Sequence, residues 1–198
     1  MAIKSLSSSS LTNNVFYRSL LAGNEAFNPS DEDVLAETVL TSSASSVTFS
    51  SLDTLAAGYQ HLQVRFVARD SFSANDRAVD VRINGDSVDK YSSHRLLKNG
   101  SSVSSNAYSN QPLLNNIGSI TGNSAATGDF GAGVLDVLDA FETTKNKTFR
   151  MLSGHAGNVD LVILGSGLYM DTDALTSIQF IPASNFVTGS TFTLIGIK

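Results

Sequence analysis

The chain has no cysteine and no tryptophan among its 198 residues, and each absence removes a class of answers. Without cysteine there is no disulfide framework and no thiolate metal site, so stability has to come from packing and from association. Without tryptophan, a carbohydrate-binding loop would lack the aromatic platform that such sites often use. Long apolar runs are missing too. The greasiest stretch, Leu161 to Met170, is interrupted by Gly165, Ser166 and Gly167. It falls well short of the roughly 20 residues that a membrane-spanning helix needs. The opening MAIKSLSSSS has a lysine but no continuous apolar region behind it, unlike a secretory signal, so a soluble protein is expected.

Basic charge is thin as well. Thirteen Lys and Arg residues stand against 18 Asp and Glu, for a net charge of -5, and the cations are scattered along the chain. Binding to DNA or RNA through phosphate neutralisation wants a basic stripe, so no nucleic-acid partner is expected. Chemistry-bearing patterns are equally sparse. His61, His94 and His155 include no pair at the three-to-five-residue spacing that favours zinc. Asp171-Thr172-Asp173 is a D-x-D, but the glycine and distal glutamate of a calcium loop do not follow it, and it reads as a polar turn. Asp136, Asp139 and Asp160 raise the question of a glycosidase pair, which needs two carboxylates about 5 to 10 Å apart. Asp139 is expected to end a strand and Asp136 to pair with an arginine. Gly165-Ser166-Gly167 lacks the later glycines and the strand-turn-helix context of a nucleotide loop or nucleophile elbow, and reads as a bend in a strand. The expectation is therefore no enzyme, no catalytic residue, no metal and no cofactor.

What the chain does have is alternation. In Leu62, Val64, Phe66 and Ala68 the apolar residues fall on alternate positions, with Gln63 and Arg65 on the other face. Val79, Val81 and Ile83 repeat the pattern against Asp80 and Arg82, and Asn84-Gly85 supplies a tight turn. Two half-buried strands of this kind must lay their apolar faces on a second sheet. Further strands are expected at 34–41 and 46–50, joined as a hairpin, then at 88–98, weakly at 111–126, and at 131–138, 148–153, 159–164, 177–181 and 191–197. The stretch 131–138 is apolar on both faces and should be central. Ser101 to Asn110 reads as a polar loop. Short strands at this spacing, with Gly, Asn and Ser turns, define an all-β class: an antiparallel, jelly-roll-like β-sandwich over residues 34–198.

Residues 1–33 differ from the rest. Ser7 to Ser10 is low-complexity, and LTNNVFYRSLLAGN carries Phe16 with Leu20 and Tyr17 with Leu21 four apart, the spacing of a short helix capped by Thr12 or Asn13 and stopped at Gly23. About three helical turns alone in water are marginal, so this arm needs a surface to lie on. Val15, Phe16, Tyr17, Leu20 and Leu21 are its candidate assembly contacts.

The succession HLQVR, R-I-N-G-D, N-K-T and the closing G-S-T-F-T-L-I-G-I, spread over about residues 34 to 198, resembles a β-sandwich module that recurs among virion proteins of tailed bacteriophages, marine and cyanobacterial phages included. The resemblance implies a non-enzymatic structural protein of the particle surface, assembled in the bacterial cytoplasm. Its expected partners are major capsid or tail proteins and further copies of itself, a trimer among the expected forms. A capsid decoration or appendage attached by the arm is the first expectation. The alternative is a tail-fibre adhesin whose loops at 71–77 or 101–110, with Tyr91 and Tyr108 nearby, bind host surface glycans.

Overall fold

A computed structural model of the chain describes residues 31–156 and 160–198. The arm contacts Val15, Phe16, Tyr17, Leu20 and Leu21, the helix expected around them and Val159 lie outside the described residues. Among the described residues, twelve strands form two antiparallel sheets. They are β1 (Glu32–Val39), β2 (Val47–Ser50), β3 (His61–Ala68), β4 (Asp76–Ile83), β5 (Tyr91–Asn99), β6 (Ser102–Gln111), β7 (Leu114–Thr121), β8 (Gly131–Leu138), β9 (Lys147–His155), β10 (Leu161–Tyr169), β11 (Ser177–Pro182) and β12 (Thr191–Ile197). One helical turn, α1 (Leu52–Leu55), follows β2. The large sheet has eight strands in the order β1-β12-β3-β8-β9-β10-β5-β6, and the small one has four in the order β2-β11-β4-β7. The fold is an antiparallel β-sandwich in which the chain passes repeatedly from one sheet to the other, as in a jelly roll.

The two best sequence strands, β3 and β4, lie in opposite sheets and bury their alternate residues against a common core. Phe66 of β3, Phe180 of β11 and Phe192 of β12 meet there with ring centroids 5.5 to 5.8 Å apart, and Phe186 closes edge-on to Phe192 at 4.9 Å. At the other end of the sandwich the apolar filling is a strand. Leu114, Ile117 and Ile120 of β7 are fully buried, and β7 lies across β8, β9, β10 and β5. The interval from Leu114 to Ile117, unusual for a strand, has a local cause. Asn116 sits at φ 51 with its N–H donated to Asp80 Oδ1 at 2.6 Å, and the β4–β7 register shifts opposite it. Val79 and Val81 of β4, two apart, pair with Gly118 and Leu114, four apart, so β7 carries two extra residues there.

Several expectations need correction. The segments around β1 and β2 do not form a hairpin. β1 pairs with β12 in the large sheet and β2 with β11 in the small one, because the 40–46 connection crosses between sheets, tied by Leu40 N–H to the Ser190 carbonyl and by an Ala44–Phe186 bridge. β1 also takes in Glu32 and Asp33 of the acidic run. The polar stretch expected as a loop at 101–110 is mostly strand β6. It pairs with β5 at the edge of the large sheet, and both its faces are largely exposed, so no apolar alternation marks it. Tyr91, expected beside the glycan-binding loops, begins β5 and faces the core. Its fully buried ring stacks on Tyr169 at 4.8 Å, its hydroxyl donates to the carbonyls of Ile83 and Asp86, and burial pushes its pKa up to about 12.

Nor is Gly165-Ser166-Gly167 a bend. It runs straight through β10, paired on both sides. A Cβ on Gly165 would stand 2.3 Å from the Ile117 carbonyl oxygen, and one on Gly167 2.7 Å from Leu114. The glycines are there because β7 presses onto them. Overpacking costs about 1–3 kcal/mol and more against backbone. At about 2–4 °C per kcal/mol for a chain of this size, Gly165→Ala is expected to lower the thermal midpoint by about 5–10 °C in a calorimetric scan, whereas Ser166→Ala, on the opposite side of the same strand, should leave it within about 1 °C.

Candidate functional site

Because β-strand side chains alternate, burying one face of the large sheet commits the others to its outer face. The ladders set them in rows. Val67, Ala132, Gly154, Val162, Lys98 and Val103 stand side by side in one. The next holds Arg65, Val134, Leu152, Leu164, Leu96 and Ser105. A third holds Gln63, Asp136, Arg150, Ser166, His94 and Ala107. Two apolar rows thus adjoin a polar one.

In the apolar rows Val67, Leu96, Val103, Leu152, Val162 and Leu164 are between 44% and 66% exposed. A hollow of about 660 Å³ lies beside Val67, Leu152 and Val162, with Ala132 and Gly154 also lining it. The outer face of the small sheet is of a different kind, with Thr48, Gln179 and Arg82 standing in register. Scattered exposed aliphatics are normal, whereas a contiguous patch marks a contact surface.

The polar row is internally paired. Asp136 accepts Gln63 Nε2 at 2.8 Å and Arg150 at 3.0 Å, in keeping with the arginine partner expected for it. His94 and Ser166 flank it, beside a second hollow that Leu96, Leu164 and Asn106 also line.

Other residues singled out in the sequence are used elsewhere. Asp139 follows β8 at φ 50. Hydrogen bonds from Lys145 and then Gln60 hold its carboxyl below the usual range, and its backbone N–H donates to His61 Nδ1 at 2.9 Å. Asp171 of the D-x-D accepts Lys90 at 2.7 Å, which the Asp86 carboxylate also approaches at 3.5 Å. Among the described residues, no group of three or more His, Asp or Glu is placed to hold a metal ion. Among them, likewise, no helix is long and apolar enough to cross a membrane.

Two buried cations were not singled out in the sequence. Lys147 is wholly buried and donates to the carbonyls of Glu142, Lys145 and Thr172, and burial lowers its pKa. The Arg69 guanidinium gathers the carbonyls of Asn123, Ala125, Ala126 and Asp129. Both close loops onto the sandwich. The outer face was missed for a different reason: runs such as Leu161-Val162-Ile163-Leu164 are apolar at both parities, a signal of two contacting faces that a search for half-buried strands passes over.

No family model and no curated protein matches the chain. Among solved structures it is similar to the galectin LEC-6 of Caenorhabditis elegans, at 9% identity and a TM-score of 0.27, over 85% of this chain and 96% of that one. It is also similar to the alginate lyase Aly36B, solved with an alginate tetrasaccharide, at 7% identity and a TM-score of 0.22, over 82% and 79% of the two chains. Likenesses of this size carry no function across.

The Lys90 cluster yields a pH dependence. The hydrogen bond from Lys90 is the largest influence holding the Asp171 carboxyl below its ordinary value, and for Asp86 it is the backbone N–H of Val88. A folded-state pKa depressed in this way contributes stability that is full above the ordinary carboxylate value of about 3.9 and is lost as pH falls through the depressed one. Lys90→Met is therefore expected to flatten the acid limb of a urea-midpoint-against-pH curve, with only a small change at neutral pH. An unchanged acid limb would mean that the pair contributes nothing.

Proposed function

We propose that this chain is a non-enzymatic structural protein of a tailed-phage particle, a capsid decoration or appendage, and that the outer face of its large sheet is an assembly surface. The observation that carries this reading is the pair of adjoining apolar rows on one outer face only. Fully burying a Leu or Val side chain is worth about 1.5–3 kcal/mol, so leaving six of them half-exposed in one patch is a standing drive toward association. The carboxylates and histidine that invite a catalytic or metal-binding reading support the same view. Asp136, Asp139, Asp171 and His61 are engaged in ion pairs and hydrogen bonds that hold strands and turns together. The arm at residues 1–33, with Val15, Phe16, Tyr17, Leu20 and Leu21, is the part we assign to attachment on major capsid or tail proteins.

A second reading rests on the polar row. His94, Arg150, Ser166 and Asn106 offer donors and acceptors next to the flat apolar surface of Leu96 and Leu164, an arrangement that suits the hydroxyl and C–H faces of a sugar. A tail-fibre adhesin would use it to hold host glycans, and binding on a glycan array that is lost in Arg150→Ala would favour that role over decoration.

Incorporation into particles tests the first reading. The double variant Leu152→Lys, Leu164→Lys should fold as the parent does by circular dichroism yet fall at least tenfold in copies per particle by quantitative mass spectrometry. Deleting residues 1–30 should likewise leave a folded sandwich that no longer enters particles. Full incorporation of both variants would refute the assembly reading.

A further inference from the structure

We infer that the apolar rows of the large sheet are covered by a second copy of the same chain, packed face to face about a twofold axis that runs across the strands between those rows. The inference deepens the assembly reading above and rests on it for the premise that this face is an interface.

The case is one of size matching at the middle of the sheet. The central strands β8 and β9 each carry a larger and a smaller outward residue two positions apart: Val134 beside Ala132, and Leu152 beside Gly154. The larger pair shares one row and the smaller pair the other. A twofold axis between the rows lays the large row of each copy over the small row of its partner. Leu152 then enters the hollow at the partner's Gly154, Val134 covers the partner's Ala132, and both contacts are made twice. An isologous contact requires this reciprocity. Face-to-face sheets cross at about 30°, so registry is best at the centre and decays outward, and the size match sits on the fourth and fifth of eight strands.

The area suffices. Strands about 4.8 Å apart and outward rows about 6.8 Å apart give the two overlapping rows about 500 Å² on each copy, or about 1,000 Å² in total, which reaches the lower end for a specific interface. The two cations that line the hollow, Arg65 and Lys98, lie at its sides. Arg65 is drawn toward Gln63 at 2.7 Å and Glu32 at 2.6 Å, and Lys98 lies on β5 toward the edge of the sheet. The small sheet offers no such match, since Thr48, Gln179 and Arg82 face outward there.

Sedimentation of the full chain at about 50 μM, a concentration within the range of ordinary stable interfaces, should give a dimer. Leu152→Lys should weaken it at least tenfold, and Thr48→Lys on the small sheet should not. In this cysteine-free chain, Leu152→Cys should be captured as a dimer by a short bis-maleimide and Thr48→Cys should not, a readout that stands even if the lysine variant folds poorly. A monomer, a trimer, or a dimer indifferent to Leu152→Lys would overturn the inference. So would a monomer whose Leu152→Cys thiol is protected from maleimide, which would mean that the face is covered from within its own chain. A dimer that never enters particles would leave this inference standing and defeat the virion reading.

Discussion

The close seating of β7 on the large sheet is the constraint from which the rest of the sandwich follows. β7 is the end strand of the small sheet, and it comes so near that its neighbours must dispense with side chains. A Cβ on Gly165 or Gly131 would meet β7 backbone at 2.3 and 2.8 Å. The same approach satisfies polar groups that an end strand would leave open. The Ser119 N–H donates to Ser153 Oγ at 2.9 Å, and the Asn115 carbonyl accepts Ser93 Oγ at 2.8 Å. An exposed strand edge invites pairing with other chains, and here the large sheet itself covers it.

That seating also decides what faces outward. Once Gly165 and Gly167 turn toward β7, period-two geometry turns Val162, Leu164 and Ser166 to the other side, and the ladders carry the same parity through β9, β8 and β5. The apolar outer rows and the tight inner packing are thus two consequences of one register. Slipping β10 by a single residue would put Leu164 against β7 and glycines on the surface, which explains why glycine stands at 165 and 167 and larger residues at 164, 166 and 168. A surface committed to its composition by interior packing is well suited to assembly.

Buried charge plays a supporting part. Lys147 and Arg69 each gather carbonyls from loops that have no ladder partners, which lets those loops lie on the sandwich without leaving acceptors unpaired. The rim clusters of Lys90 and Asp139 do similar work at the strand ends, in water and at lower energy. Lys147, Arg69, Lys90 and Asp139 thus fasten turns and loops.

Alternation in β3, β4, β9 and β12 was legible along the chain because each strand buries one side chain in two, and that periodicity is local. So were the turn at Asn84-Gly85, where both residues take positive φ, and the pairing of Asp136 with an arginine. β6 was not legible, because an edge strand exposed on both faces has no alternation to show. Nor was the interval from Leu114 to Ile117 in β7, where Asn116 finds Asp80 36 positions away. The sequence by itself determined a β-sandwich with a cysteine-free apolar core, since composition and period are properties of neighbours in the chain. Which strands shared a sheet, why Gly165 and Gly167 were glycines, and that two rows of aliphatics lay together on one outer face were decided only by the tertiary structure, because each depends on contacts between residues far apart in the chain.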